Sequence, residues 1–290
     1  MAIAAVTVIV RLLFTDDGSI NDALITSFNI SILLLLRLIL VFGQLYSTFA
    51  FLLNPYLSYK SWFFMKKYSI IVAGGMGSRM GGNLPKQFML LREKPVLFYS
   101  LKPFLDAYND LQIILVLPAA FTDMGQEIID TFPDKERIRM ATGGDTRFHS
   151  VKNGLKLVEE ESIIFVHDAV RCLASVDLIH RCYETALQMG SAIPVIVSKD
   201  SVRIMNEEGN EVIDRNKVLL VQTPQTFHSK ILLPAYDIDY KDKFTDEATV
   251  VEAYGLKVSL TEGEETNIKI TRPIDLLVAE KFLDQLIINN

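Results

Sequence analysis

From Met65 onward, short apolar runs alternate with longer segments in which apolar residues recur every three or four positions. A short apolar run bounded by turn residues is typical of a buried strand, and the longer period is typical of an amphipathic helix. Strands are predicted over residues 68–74, 111–118, 137–144, 162–169 and 191–197, and helices over residues 94–108, 121–132, 145–158 and 176–190. For the second of these helices, Thr122 or Asp123 is the predicted N-cap. Because strands and helices alternate along the chain, we expect an α/β fold, a three-layer sandwich around a mostly parallel sheet.

The alternation breaks in residues 200–220, which we call the β-arm. Two short, charged strands flank the turn "NEEGN" at residues 206–210, and this pattern predicts a β-hairpin. A hairpin of this size has little core of its own. We therefore expect the β-arm to protrude and to pack on something outside the main sheet.

The first 64 residues differ from the rest of the chain. They carry three acidic and three basic side chains, so the net charge of −6 belongs entirely to residues 65–290. Residues 29–53 contain Arg37 as their only charge and are long enough to span a bilayer. They represent either a membrane anchor or an extension upstream of a start at Met65. We favour the second interpretation, a single cytoplasmic domain over residues 65–290, because Met65 directly precedes the first predicted strand.

Composition excludes some classes of function. A net charge of −6 argues against a protein that binds nucleic acid through a basic face. The two cysteines, Cys172 and Cys182, and the four histidines do not have the spacing of a zinc site. No disulfide framework is implied, which agrees with a reducing compartment.

The first predicted strand runs into "AGGMGSRMGGNLPKQF", residues 73–88. Glycines allow backbone amides to approach phosphate oxygens, and Arg79 and Lys86 add two positive charges, so the stretch predicts a polyphosphate site. It is not a P-loop, because the Gly-Lys-Ser/Thr ending is absent. It also departs from the dinucleotide fingerprint, because its glycine spacing is one residue too long. The alternative is a glycine-rich turn with two solvated cations.

Six later segments follow this loop in a fixed order: "GGDTRFHSV" (143–151), "VHDAVR" (166–171), "DSVR" (200–203), "DRNKVLLVQTPQTF" (214–227), "TDEA" (245–248) and "NIKITRP" (267–273). Together with the loop they resemble the cytidylyltransferases that act on 2-C-methyl-D-erythritol 4-phosphate in the non-mevalonate isoprenoid pathway. The resemblance runs from about Lys67 to the C-terminus. It implies a Rossmann-like nucleotidyltransferase sheet with a β-hairpin arm. It also implies transfer of CMP from CTP to methylerythritol phosphate, with Mg²⁺ and with release of pyrophosphate.

The resemblance further implies roles for individual residues. Arg79 and Lys86 would be catalytic and stabilise the pentacoordinate α-phosphate. The nucleotide would be bound by Ala73, Gly74, Gly75, Gly144, Asp145, Ser150, Asp168, Ala169 and Lys269, and the sugar phosphate by Arg171, Ser201, Arg215 and Thr245. Asp168 is also the candidate Mg²⁺ ligand. Arg215 would serve the neighbouring subunit's site in a homodimer formed through the β-arm.

Simpler interpretations of several residues stay open at this point. Asp168 ends a buried strand at the edge where open parallel sheets bind ligands, but it can also cap the following helix. Lys269 can lie on the solvent face of an edge strand, and Arg215 can pair locally beside Asp214. Ser150 can be helix surface. We expect His167 to be a packed strand-end histidine, because an anionic phosphate nucleophile requires no general base.

Three other functions compete with methylerythritol phosphate cytidylyltransfer. Ribitol-5-phosphate cytidylyltransferases share the loop and the "TPQTF" segment. A nucleotidyltransferase that makes another nucleotide sugar is a more distant alternative. A catalytically inactive, membrane-tethered binding module would be a protein of a different class. In that case residues 29–53 would contact a membrane.

Overall fold

The structure is a computed structural model that describes residues 65–74, 84–207 and 209–288, with side chains described as far as residue 284. These residues belong to the unit Met65–Asn290. The extension over residues 1–64 lies outside the described part, so both interpretations of it stay predictions. Among the described helices, none is both long enough and apolar enough to cross a bilayer.

The described residues form twelve strands and seven α-helices, whose bounds follow. The strands are β1 (Lys66–Val72), β2 (Leu90–Leu91), β3 (Lys94–Pro95), β4 (Leu111–Leu117), β5 (Ile138–Thr142), β6 (Ser162–Asp168), β7 (Ser191–Val197), β8 (Val202–Asn206), β9 (Gly209–Ile213), β10 (Leu219–Val221), β11 (Gln225–His228) and β12 (Leu260–Glu262). The helices are α1 (Val96–Ala107), α2 (Thr122–Ile129), α3 (Arg147–Leu155), α4 (Val176–Met189), α5 (Ser229–Ala235), α6 (Glu247–Ala253) and α7 (Pro273–Ile288).

Eight of these strands form the main sheet, in the order β10-β7-β11-β6-β1-β4-β5, with β12 also beside β7. Strands β6, β1, β4 and β5 are mutually parallel, and β12 is parallel to β7. Strand β11 runs antiparallel to both β6 and β7, and β10 runs antiparallel to β7. The prediction of a mostly parallel sheet is therefore confirmed.

Helices cover both faces of this sheet. Successive side chains of a strand point to opposite faces, so neighbouring residues of β1 enter different cores. Ile70 packs in one core with Phe148 and Val151 of α3, and Ile71 packs in the other with Leu101 of α1. The predicted three-layer sandwich is confirmed.

The start of helix α2 differs from the prediction. The N-cap is Phe121, not Thr122 or Asp123. A 3₁₀ turn, Ala119–Phe121, precedes the helix, and the Thr122 hydroxyl donates a hydrogen bond to the carbonyl of Ala119 (2.9 Å). Asp123 lies within the first turn, where its charge complements the helix dipole.

The β-arm contains the predicted hairpin, but the hairpin is shorter than predicted. Strands β8 and β9 pair antiparallel in a separate two-stranded sheet. The end of the β-arm instead returns to the main sheet as β10, because its backbone finds partners along β7. On the hairpin, Met205 is 79% exposed and Val212 is 67% exposed. Its apolar side chains therefore have little cover within the described residues.

Candidate active site

Three loops meet where parallel strands of the sheet end. Ala73 follows β1, Gly143 follows β5 and Ala169 follows β6. Each donates its backbone amide to a carbonyl near the end of the adjacent strand, at 2.9, 2.8 and 3.0 Å respectively. These bonds hold the loops against one another at the carboxyl edge, where ligands of open parallel sheets bind.

Ser150 joins the first two of these loops. The Gly144 amide donates to Ser150 Oγ (3.1 Å), and a Cβ added at Gly74 would lie 3.3 Å from the same oxygen. A Cβ at Gly144 would lie 2.5 Å from the Cβ of His149, so this position needs glycine. Ser150 is 2% exposed, so the helix-surface interpretation is wrong. Asp145, next to Gly144, is exposed.

Asp168 lies at the centre of the site, between two cations. Arg147 donates to Oδ1 from Nε (3.3 Å) and from a terminal nitrogen (3.2 Å), and Lys269 Nζ donates to Oδ2 (2.7 Å). The helix-cap interpretation of Asp168 is wrong, because Ser175 caps α4. Lys269 is exposed, but it lies outside the described strands and its ammonium is paired with a nearly buried carboxylate, so it is more than the solvent face of an edge strand.

Charge, more than burial, determines the protonation of Asp168. Burial on its own would raise the pKa of the Asp168 carboxyl. The positive charges of Arg147 and Lys269 outweigh burial and hold this pKa well below its ordinary range. The carboxylate is therefore ionised throughout the physiological pH range.

Arg147 also contacts a second carboxylate, which is fully buried. One terminal nitrogen of Arg147 donates to Glu247 Oε1, and the other donates to Oε2 (3.0 Å). Tyr236 Oη donates to Oε1 as well (3.1 Å). Burial would lower the pKa of the Arg147 guanidinium, but Glu247 and Asp168 raise it well above its ordinary value. The result is a chain of paired charges from α6 through α3 to the end of β6.

Sequence reasoning did not assign a role to Arg147 or Glu247. Both lie inside segments that carry the resemblance, "GGDTRFHSV" and "TDEA". The opposite charges of Arg147 and Glu247 within these two segments are the sequence signal that could have indicated a pair. They are 100 residues apart in the chain, so only the fold shows that they pair.

Lys86 is held in place by the start of α7. It lies in a 3₁₀ turn after Pro85, is 9% exposed, and donates from Nζ to the carbonyl of Thr271 (2.8 Å). Asp275 Oδ2 in turn accepts from the amide and hydroxyl of Thr271 and from the amide of Arg272, all within 2.8 Å. The solvated-cation interpretation is therefore wrong for Lys86.

Two predicted residues of the glycine-rich loop, Arg79 and Gly75, lie outside the described residues. Their roles stay predictions.

The segment 267–272 contains Lys269 and contacts Arg171. The Asn267 carbonyl accepts from Arg171 (2.7 Å), and the Asn267 amide side chain donates to the carbonyl of Thr223 (2.8 Å). The Ile270 amide donates to the carbonyl of Val170 (2.9 Å), which fixes Lys269 beside the end of β6. Burial lowers the pKa of the Arg171 guanidinium. Its Nε is buried without a hydrogen-bond partner in the described part of the chain.

His167 is a packed histidine, in agreement with the prediction. Its Nδ1 lies 3.1 Å from Thr223 Oγ1, and its Nε2 lies 2.9 Å from the carbonyl oxygen of Arg171. Burial lowers the pKa of the imidazole to about 4, so the ring is neutral at physiological pH. Both nitrogens are occupied, so the ring has a structural role.

Three predicted substrate residues lie outside this network of hydrogen bonds. Ser201 is exposed before β8, and Thr245 is exposed two residues before Glu247. Arg215, at the base of the hairpin, donates to the carbonyl of Lys199 (3.0 Å) and lines a groove of about 510 Å³. The local ion-pair interpretation of Arg215 is not supported, because its described partner is a backbone carbonyl.

The site offers few ligands to a metal ion. In the part of the chain that the structure describes, no group of three histidine, cysteine or acidic side chains is placed to hold a metal. Asp168 presents one ionised carboxylate whose two oxygens already accept from cations. This donor set fits Mg²⁺ only if phosphate oxygens and water provide most of its ligands, as is usual for that ion.

Comparisons with known proteins show to which proteins the chain is similar. The family model of 2-C-methyl-D-erythritol 4-phosphate cytidylyltransferase matches residues 68–285. The chain is similar to the protein of that name from Phocaeicola vulgatus, with 45% identity over 219 residues, which is 76% of this chain and 100% of the relative. It is also similar to the protein of that name from Porphyromonas gingivalis, with 41% identity over 222 residues, 75% of this chain and 98% of the relative.

Solved structures show the same likeness. The 4-diphosphocytidyl-2C-methyl-D-erythritol synthase of Anaerococcus prevotii superposes with a TM-score of 0.66 and 28% identity, covering 76% of this chain and 99% of that one. The 2-C-methyl-D-erythritol 4-phosphate cytidylyltransferase of Thermus thermophilus superposes with a TM-score of 0.59 and 29% identity, covering 74% and 98%. In both, the match spans almost the whole of the solved chain.

Proposed function

Because the chain belongs to the 2-C-methyl-D-erythritol 4-phosphate cytidylyltransferase family, we propose that the carboxyl edge of its sheet is the active site for that reaction. The protein transfers CMP from CTP to 2-C-methyl-D-erythritol 4-phosphate in non-mevalonate isoprenoid precursor biosynthesis. The observation that carries the assignment of the site is that one segment holds Lys269 and Lys86. Lys269 Nζ donates to Asp168 Oδ2, and Lys86 Nζ donates to the carbonyl of Thr271, two residues after Lys269.

The reaction needs charge stabilisation more than acid–base chemistry. A phosphate oxygen of methylerythritol phosphate attacks the α-phosphorus of CTP, the new P–O bond forms, and the bond to the β-phosphate breaks to release pyrophosphate. Lys86, with Arg79 of the glycine-rich loop, stabilises the extra negative charge of the pentacoordinate α-phosphate. The buried, neutral His167 takes no proton in this scheme.

The nucleotide lies across the loops that Ser150 joins. In this proposal the triphosphate contacts the backbone of Gly74 and Gly75, and Ala73, whose amide donates to the carbonyl of Val116, holds the start of the loop against the sheet. Gly144 and Asp145 contact the cytosine through their backbone, and Ser150, which accepts from the Gly144 amide, holds this turn in place. In this proposal Asp168 and Ala169 contact the ribose or the sugar phosphate, and Lys269 contacts the phosphates of CTP.

Mg²⁺ is the metal that suits this donor set. When bound, the ion supplies positive charge to the phosphate oxygens of CTP. Asp168 is the residue that would hold it, together with phosphate and water.

The sugar phosphate is bound by Arg171, Ser201 and Thr245, and by Arg215 of a neighbouring subunit. Two observations support a homodimer formed through the β-arm. The hairpin exposes Met205 and Val212, which a second subunit would cover. Arg215 lies at the base of the same hairpin, and its described hydrogen bond goes to the carbonyl of Lys199 and not to Asp168.

The free, buried thiols of Cys172 and Cys182 support a cytoplasmic location for residues 65–290.

The proposed function is tested by measuring pyrophosphate release from CTP with the full-length protein. Methylerythritol 4-phosphate and ribitol 5-phosphate are supplied in parallel, and UTP and GTP replace CTP in control reactions. We expect turnover that depends on CTP and methylerythritol phosphate. Turnover of ribitol 5-phosphate alone would instead assign the alternative activity.

A further inference from the structure

Glu247 is a fully buried carboxylate to which the reaction above gives no role. It is 0% exposed, and it accepts hydrogen bonds from both terminal nitrogens of Arg147 and from Tyr236 Oη. A buried charge is tolerated only when it is paired and hydrogen-bonded. The partner that neutralises Glu247 is the same guanidinium that contacts Asp168.

The shared guanidinium links the geometries of the two carboxylates. A guanidinium is planar, and its five N–H donors have fixed directions. Two of its nitrogens bond the two oxygens of Glu247, so Glu247 sets the plane of the Arg147 fork. Nε and one terminal nitrogen of that fork then meet Asp168 Oδ1. A change in the fork would move or release the Asp168 carboxylate.

Hydrogen bonds fix the backbone around Glu247. It lies in the first turn of α6, whose N-cap Asp246 accepts from the Thr249 amide (2.9 Å). The Gln225 side chain bonds both Asp246 Oδ2 (2.9 Å) and the Ala248 amide (2.8 Å). Strand β11 and helix α6 therefore hold the carboxylate in place from two sides.

The second contact of Asp168 is less constrained. Lys269 has a side chain that is 45% exposed, whereas that of Arg147 is 27% exposed. A lysine also has one compact charge without a preferred plane. The orientation of Asp168 thus depends mainly on its Arg147 side.

We infer that Glu247 is a positioning residue for cytidylyl transfer, which acts through Arg147 to orient Asp168 towards the nucleotide. This inference rests on the function and the site proposed above. Glu247 touches neither substrate nor metal in this scheme. Its effect on turnover passes through the guanidinium.

The first test replaces Glu247→Gln in the full-length protein and measures kcat/KM with CTP and methylerythritol phosphate. Glutamine keeps the size but removes the charge and one acceptor. We expect kcat/KM to fall about 10- to 100-fold, because small misplacements of a catalytic group cost up to about 100-fold. The matched control is Glu252→Gln on the exposed face of α6, which should stay within about twofold.

The outcomes separate the inference from the proposed function. If the wild-type protein shows no turnover of CTP with methylerythritol phosphate, the proposed function fails. If the wild type is active and a folded Glu247→Gln variant has the kcat/KM of the wild type, only the inference is overturned.

A double-mutant cycle with Asp168→Asn tests whether Glu247 acts through Asp168. Residues that act as one unit give non-additive losses. We expect Glu247→Gln to lower kcat/KM 10-fold or more alone and less than about twofold in the Asp168→Asn background. The Kd for CTP serves as the readout where turnover is too slow to measure. Equal losses in both backgrounds would show a general structural effect and overturn the inference.

If Glu247→Gln does not fold, a milder variant tests the inference that Glu247 positions Asp168. Tyr236→Phe removes only the hydroxyl that donates to Glu247 Oε1. Losing one hydrogen bond is expected to lower kcat/KM about 2- to 10-fold. Tyr254→Phe, at a tyrosine that is 45% exposed on the surface, is the control. A Tyr236→Phe variant with wild-type kcat/KM would contradict the inference.

Discussion

The site around Asp168 and the β-arm have opposite kinds of surface. In the site, the charged side chains of Asp168, Arg147 and Glu247 are largely buried and paired with one another. In the β-arm, Met205 and Val212 are apolar and largely exposed. The first region completes its contacts within one chain. The apolar side chains of the β-arm would be covered by contact with another molecule. We therefore assign the reaction to the site around Asp168 and dimer formation to the β-arm.

Replacing Lys86→Ala should have the largest effect on the active-site side of this comparison. The variant removes a charge that the Thr271 carbonyl holds at the site. Removing one group that stabilises the transition state costs about 10²- to 10³-fold in kcat. Steady-state kinetics with CTP and methylerythritol phosphate measure the loss, and calorimetry should show that CTP still binds. Lys135→Ala, at an exposed surface lysine, is the control. Wild-type kcat in the Lys86 variant would remove this residue from the mechanism.

Replacing Val212→Asp tests the β-arm. A charge on the exposed hairpin should leave the fold of the single chain intact but raise the dimer dissociation constant about 100-fold, if this side chain is at the centre of the interface. Light scattering over a concentration series measures the shift. Activity should fall together with the dimer, because Arg215 is proposed to act in the neighbouring subunit's site.

Leu256→Asp is the matched control for the Val212 variant, because Leu256 is also an exposed apolar residue (40%) but lies outside the β-arm. An unchanged dimer in the Val212 variant, or a wild-type protein that is monomeric, would contradict the assignment of the β-arm to assembly.

The buried His167 predicts a pH dependence of stability. Its pKa falls from an unfolded value of 6.5 to about 4 in the folded protein. The neutral ring therefore stabilises the fold above pH 6.5, and this contribution is lost as the pH falls from 6.5 towards 4. Between pH 7 and pH 5 the loss is about 2 kcal/mol.

Urea unfolding of the wild type and of His167→Gln at both pH values measures the His167 contribution. The groups common to both proteins cancel in the difference. We expect the wild type to lose about 2 kcal/mol more stability than the variant between pH 7 and pH 5. Equal losses would show that His167 does not titrate in this way.

Replacing Asp275→Asn should have the smallest effect. Asp275 accepts three hydrogen bonds that fix Thr271 and Arg272, and Thr271 in turn accepts from Lys86. Weakening these bonds should lower kcat about 10-fold, because Lys86 loses part of its positioning. Glu280→Gln, further along α7, is the control. A drop in thermal stability without a change in kcat would assign Asp275 to helix capping alone.

Local pattern was sufficient for most of the sheet and for the packing of His167. Strands β1, β4 and β6 are found within about two residues of their predicted bounds, because a buried parallel strand is a nearly continuous apolar run. The N-cap of α2 was predicted wrongly, since a 3₁₀ turn before the helix engages the Thr122 hydroxyl. The end of the β-arm was assigned to the hairpin, although β10 pairs with β7. Whether a short strand pairs locally or at a distance depends on which sheet edge is available.

The sequence by itself determined the order of strands and helices, the kinds of side chain available at the site, and the family. These depend on residue type and short spacing, which the chain carries in every conformation. The tertiary structure alone decided which charges meet. Asp168 and Lys269 are 101 residues apart, and Arg147 and Glu247 are 100 apart. Such pairs form only because the sheet and its helices bring distant segments to one edge and exclude water around them, so that each buried charge must find its partner there.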